Sequence, residues 1–390
     1  MSWPTSPPTS SSGPRELDRW LGESERTIAL LERCLPQNST GEREQLERTW
    51  RRGERAEPAF SYRPAPRLGP LRRALDQLAE TLERGDPVDR LYAGRARELS
   101  LEAWIAEAVG SPELGRRAEL RFGVRPGPDA RRAEAWAREW TCDPPAPRPG
   151  PRVASDDRRH PMSLASALER AIARRRLPLR VLVRDDLLAA AATGQGVIAV
   201  RGRVAYTASE VERIVTHEVE GHALPRWRAE QHTLGLLRVG SAGGSDDEEG
   251  RALLLERRHG QADRARRAEL GWRHLGGLAV RRGANFVELV ELLLALGAPL
   301  RAALEVAIRC QRGGGLGREV VYLVACSRLE RELGREPELE AWLEQGRVSI
   351  AAARVLDRLL GSPLLQANPG CAPGGGTRWV SSLSAPGTAG

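Results

Sequence analysis

Lysine is absent from this chain of 390 residues, and all 60 of its basic side chains are arginine. Ala, Arg, Gly, Leu and Pro dominate, so the missing lysine reads as a coding bias rather than a surface built for one partner. The formal charge is +8, but the two signs alternate, as in Glu42-Arg43-Glu44 and Arg328-Leu329-Glu330-Arg331-Glu332. Interspersed signs favour solvated, salt-bridged helix faces over a stripe that tracks phosphates, which argues against a nucleic-acid partner. Cysteine is scarce: Cys34, Cys142, Cys310, Cys326 and Cys371 are scattered, and no two stand at Cys-x-x-Cys spacing. That excludes a disulfide scaffold and a zinc ribbon. No run reaches the ~18 apolar residues of a membrane span. The start, Met1-Ser2-Trp3-Pro4, has neither the basic residues nor the apolar run of a secretory signal. The expectation is a cytoplasmic protein with no membrane contact.

The hydrophobic fraction of 41% suits a globular chain long enough for one large core or two smaller ones. Residues 1–14 are rich in Ser, Thr and Pro and are expected to be disordered. Residues 15–142 form a helical N-terminal part, with Leu71, Leu75, Leu78 and Leu82 at helical spacing. A proline-rich connector covers 143–152, a catalytic core 153–362 and a flexible tail 363–390. Within the core, Met162–Arg175 reads as helix and Leu179–Val183 as a strand. Val197–Tyr206 reads as a hairpin or strand pair turning at Arg201-Gly202-Arg203. Thr207-Ala208-Ser209-Glu210 fits a capping box that opens a helix with a buried stripe of Val211, Ile214, Val215 and Val219. Asp246 or Asp247 is expected to cap the helix carrying Glu249, and glycines at 283, 297, 313–315 and 334 break the helices that follow.

The densest chemistry lies at His217-Glu218-Val219-Glu220-Gly221-His222, in a chain with only six histidines. Two imidazoles and a carboxylate from a later helix make a three-ligand zinc site with an open fourth position. The common spacing for such a pair is His-Glu-x-x-His, and here it is one residue longer. At about 100° per residue, positions i and i+5 diverge by roughly 140°, so both histidines reach one metal only if the helix takes a π-type bulge. Gly221, the least hindered residue, stands beside His222, where it would permit that bulge. The third ligand is Glu249 or its neighbour Glu248, which point about 100° apart on a helix; His232 and His259 are rivals. Glu218 can reach a water activated at the metal without binding the metal itself, and is placed to take its proton and deliver it to a leaving amine.

A peptidase also needs donors for an oxyanion and for the substrate carboxylate. Arg309, Arg312 and Tyr322 flank the run Gly313-Gly314-Gly315 and supply candidates, and the glycines would let backbone come close to a ligand.

Taken in order, these segments resemble the tyrosine carboxypeptidase-like family, which includes the microtubule-associated tyrosine carboxypeptidase and the bacterial QEGLA-motif proteins. The family pattern is His-Glu-x-x-x-His, then Glu-Gly-Leu-Ala, then Arg-Gly-Gly-Gly-Phe-Thr with a later Tyr. Here these stand as His217-Glu218 to His222, Glu249-Gly250-Arg251-Ala252, and Arg312-Gly313-Gly314-Gly315-Leu316-Gly317 with Tyr322. Pro58 to Tyr62 and Leu91 to Leu99 are similar to the family's N-terminal helical region. Dipeptidyl peptidase III is similar at the motif level, with His-Glu-x-x-Gly-His and Glu-Glu-x-Arg-Ala. The resemblance implies a zinc metallocarboxypeptidase that releases a C-terminal aromatic residue, Tyr or Phe, from peptides or proteins. It implies Zn2+ held by His217, His222 and Glu249, with Glu218 as base. The tubulin substrate of eukaryotic members is not carried to this chain. Arg251, Leu316 and Gly317 depart from the family, at positions expected to line the pocket and bear on substrate choice. The fold class is α+β and predominantly helical, a zincin-like core with a helical N-terminal part. Arg312 and Tyr322 are assigned to the oxyanion or the terminal carboxylate. The rival function is a catalytically silent regulator whose metal only staples the fold.

Overall fold

The computed structural model describes residues 14–142 and 150–363. The expectations for the Ser/Thr/Pro-rich start, for connector residues 143–149 and for the tail past 363 lie outside the described residues. The architecture is α+β and mostly helical. No helix among the described residues is long and apolar enough to cross a membrane.

The leucine spacing at 71, 75, 78 and 82 produces the helix Gly69–Leu82, with the first three leucines buried. They pack on the long helix Pro87–Ala106. Asp86 opens that helix by accepting from the N–H groups of Val88 and Asp89, with Pro87 in the first helical position. Each fully buried leucine contributes about 1.5–3 kcal/mol relative to exposure. The same hydrophobic cluster holds Leu21, Leu75 and Leu99 together with Leu253, Leu329, Trp342 and Leu356, so segments on both sides of the connector share it. Polar contacts tie them too. Glu98 accepts from the Gly243 N–H at 2.8 Å, and Arg95 Nε donates to the Val239 carbonyl at 3.1 Å. Both contacts grip the loop that leads into the helix Gly244–Arg258.

Among the described residues five short strands follow the connector: β1 (Val153–Ala154), β2 (Arg180–Arg184), β3 (Ala191–Thr193), β4 (Val197–Arg201) and β5 (Ala205–Tyr206). They form two sheets, β2-β4-β3 and β1-β5. The hairpin expected over Val197–Tyr206 is therefore not formed. Strand β4 is central, with parallel β2 on one edge and antiparallel β3 on the other, so both of its hydrogen-bonding edges are taken. Beyond Gly202 the chain crosses over, and β5 pairs antiparallel with β1. Burial of Ile198 and Val200 fits the central position. Strand β3 carries little strand propensity in its Ala-Ala-Thr sequence and was not anticipated.

The helix Arg264–Arg281 buries His274 among these packed helices. Burial pushes the imidazole from 6.5 down to about 4, only partly opposed by Glu134 and a bond with the Val320 backbone. A lowered folded-state value means that the unfolded chain binds the proton more tightly. Stability is therefore complete above pH 6.5 and is lost as pH falls from 6.5 towards 4, a difference of about 3 kcal/mol. His274→Gln removes that dependence. In urea unfolding, the stability gap between wild type and variant should shift by about 3 kcal/mol between pH 7 and pH 4; parallel pH dependences would count against it.

Candidate functional site

The capping box read at Thr207 is present: Thr207 Oγ1 accepts from the Glu210 N–H, and the Glu210 carboxylate accepts from the Thr207 N–H. The helix Ala208–Val215 then runs without a break into a π-helix over Thr216–Ala223, followed by the helix Leu224–Gln231. The wider π turn is what a five-residue spacing needs to bring two side chains to one face. The His217 and His222 rings lie 4.9 Å apart, edge to face. Val211, Ile214 and Val219 are buried against the sheet and hold the segment inward.

The opposite side of the site comes from the helix Gly244–Arg258. It starts earlier than expected, capped by Gly243, so Asp246 and Asp247 lie in its first turn. Two glycines set its approach. A Cβ at Gly221 would sit 2.8 Å from Ala252 Cβ. One at Gly250 would sit 2.7 Å from the Ala325 carbonyl carbon and 2.8 Å from Cys326 N. Gly221 thus serves close helix packing, beyond any freedom it lends to the π turn.

Glu249 Oε2 lies 3.6 Å from His217 Nε2 and 3.7 Å from His222 Nε2. Ligand atoms of all three residues fall within 4.8 Å of one another. Tetrahedral zinc with bonds of ~2.0–2.2 Å separates its ligand atoms by about 3.3 Å, so the two glutamate–histidine distances fit within a few tenths of an ångström, while the two imidazoles would close up on a bound ion. One outer nitrogen has a hydrogen-bond partner, and the other stands near a carboxylate without bonding it. His217 Nδ1 is 2.7 Å from the fully buried Glu256, and His222 Nδ1 is 3.4 Å from Glu248 Oε1. Carboxylates behind ligating imidazoles set tautomer and ring orientation. Glu248 is itself clamped by Arg226, with both oxygens accepting at 2.8 Å. It thus turns to Arg226 rather than to the trio. Neither other histidine joins: His232 lies against Trp342, and His259 is exposed at the end of its helix.

Burial opposes the ionised forms here, and specific partners outweigh it. Burial lowers His217, but Glu249 and Glu256 raise it to about 9. Burial raises Glu249, but His217, His222 and Arg318 hold it well below the carboxylate range. Glu256 is held low in the same way by Arg266 and His217.

Glu218 is buried, and its Oε2 accepts from Thr193 Oγ1 at 2.8 Å, which ties it to β3. The arginines available for a plain helix salt bridge go elsewhere, Arg226 to Glu248 and Arg213 to Glu256 at 3.6 Å. A pocket of about 420 Å³ opens on Glu218 and the trio. Its lining mixes apolar side chains, among them Leu31, Leu35, Leu187, Ala190, Val197 and Ile214, with arginines that include Arg273, Arg309, Arg312 and Arg318. Tyr322 joins these arginines to the trio, donating to Glu249 Oε1 at 3.2 Å and accepting from Arg318 Nη1 at 2.9 Å.

A family model described as microtubule-associated tyrosine carboxypeptidase matches residues 47–371, most of the chain. The chain belongs to the microtubule-associated tyrosine carboxypeptidase family. No curated protein and no solved structure matches it. In this member of the carboxypeptidase family, the structure brings Arg309, Arg312 and Tyr322 to one pocket, as the sequence suggested. It gives the glycine run a different task. Arg312 leaves helical geometry, and Gly313, Gly314 and Gly315 take φ of 73°, 98° and 117°. Gly313 packs where a Cβ would meet Cys34 Sγ at 2.7 Å, and its carbonyl accepts from the Gly110 N–H. The run turns the chain against the N-terminal helices and leaves Arg312 aimed at the pocket; the glycines do not line it. Arg251, Leu316 and Gly317 also lie outside the lining, contrary to expectation. Thr193, Arg226, Glu256, Arg318 and the fully buried Glu319, which sits among Arg273, Arg309 and Arg312, were missed. Apart from the adjacent Arg318 and Glu319 they are single residues far apart in sequence, and only the Glu-Arg richness of the helices hinted at them.

Proposed function

We propose that this chain is a zinc-dependent carboxypeptidase that releases a C-terminal aromatic residue, Tyr or Phe, from peptides or proteins. The observation that carries the reading is the meeting of His217, His222 and Glu249 beside a buried Glu218, in a pocket faced by arginines. We assign the strands and the π-bulged helix to a zincin-like core. A bound zinc ion would polarise the scissile carbonyl and lower the pKa of a water to about 7.

The chain's own residues do the rest. Glu218, oriented by the Thr193 hydroxyl, accepts the proton of the attacking water and passes it to the leaving amine. Tyr322 and Arg312 present donors on the side where a carbonyl oxygen gains charge or a terminal carboxylate docks. The edge strand β3, whose segment 189–194 lines the pocket, offers backbone to an extended peptide. The apolar side chains of the lining offer aliphatic surface to an aromatic ring.

Elemental analysis is expected to find one zinc per chain. Mass spectrometry of peptides ending in Tyr or Phe should record loss of that single residue, none from their C-terminally amidated forms, and none after chelation until zinc is restored. Bound zinc with no release from any peptide would favour the regulator instead.

A further inference from the structure

Arg251 follows Glu249 by two residues, is buried, and lies on the face of its helix turned towards the π segment. Its Nη2 donates to the Glu220 carbonyl at 2.9 Å and to the Gly221 carbonyl at 2.6 Å. The local sequence explains why those carbonyls want an outside donor. In the π register each carbonyl takes the N–H five residues on, as Val219 does from Leu224. The next pair would be Glu220 and residue 225, but residue 225 is proline and has no N–H. Gly221 meets the same gap four residues on, in the α register. A buried carbonyl without a partner is costly, because it gives up water and gains nothing in return. Here the missing donor comes from the helix that also carries Glu249.

We infer that Arg251 is a positioning residue for the metal trio: its guanidinium replaces the hydrogen-bond donor absent at Pro225 and clamps the end of the π segment that carries His222 onto the helix that carries Glu249. Without it, the π turn loses its stop and His222 is free to drift from Glu249. The Arg251 Nε has no partner among the described residues, so the contact rests on Nη2 alone. One nitrogen making both bonds can be imitated by an amine. A leucine offers nothing.

The inference rests on the proposed zinc site, and zinc affinity of the full chain tests the two separately. Competition with a chromophoric chelator is expected to show Arg251→Leu binding zinc roughly 10–100-fold more weakly than wild type, the range typical for loss of an outer support. Arg251→Lys should recover most of that loss. The cobalt-substituted leucine variant should also show an altered visible d–d spectrum, which a general loss of stability would not produce. If Arg251→Leu fails to fold, the lysine variant decides, because a lysine that binds zinc no better than 10-fold below wild type contradicts the clamp. Unchanged zinc affinity and cobalt spectrum in Arg251→Leu overturn the inference alone, whereas a wild-type chain that binds no zinc overturns the site and the inference together.

Discussion

Glu218→Gln is expected to slow peptide release by about 10²–10⁴-fold while zinc stays bound. The amide keeps the shape of the carboxylate and can still accept from Thr193 Oγ1, so the local packing around this buried side chain persists. It cannot take a proton from water at neutral pH. The metal trio does not include residue 218, so metal content should be untouched. Single-turnover release of Tyr from a synthetic peptide, with zinc measured on the same sample, checks both halves. Full activity in the variant would remove Glu218 from the mechanism, and lost zinc would reassign it as a ligand.

The second large effect is structural. Gly250→Ala should destabilise the fold by about 1–3 kcal/mol and weaken zinc binding with it. Alanine in a helix interior gains up to about 1 kcal/mol over glycine, so the sign depends on the space available. Here a Cβ would stand 2.7–2.8 Å from main-chain atoms of Ala325 and Cys326, and a helix backbone cannot swing aside as a side-chain tip can. Overpacking wins, and the strain falls on the residue next to Glu249. Gly41 is the control: nothing lies within 4 Å of its would-be Cβ, so Gly41→Ala should be neutral or mildly stabilising. Chemical denaturation of the two variants side by side decides. Equal stability would show that the two helices can part at little cost.

The elements that carry the metal trio were legible because they obey local rules. A capping box begins its helix wherever it occurs, and a five-residue histidine spacing has one economical solution, which the chain adopts as a π turn. The breaks at Gly283, Gly297 and Gly313 likewise follow from backbone freedom at single positions. What stayed hidden depends on pairing between distant segments. Nothing within Val197–Tyr206 says that β4 will take β2 and β3 as neighbours and leave β5 to β1. Nor does the sequence near Glu248 say that it will turn to Arg226 while Glu249 turns to the histidines. The departures at Arg251 and Leu316 looked like pocket changes because they flank motif residues, yet helix facing turns Arg251, and the glycine kink turns Leu316, away from the cavity.

The kink at Arg312 carries a consequence for the timing of activity. The residues proposed to hold zinc all lie between positions 217 and 249, whereas the pocket is also lined by Leu31 and Leu35 from an early segment and by Arg312 and Tyr322 from a late one. The kink that aims Arg312 is itself wedged against Cys34 and Gly110. Joining segments so far apart in sequence comes late in folding, since long loops must close before their contacts repay the cost. The helix that carries Glu249 is itself held by Glu98 before it in sequence and packed on Ala325 after it, so trio and pocket wait on the same long-range docking. A complete pocket therefore requires segments from residue 31 to residue 322 to be docked together.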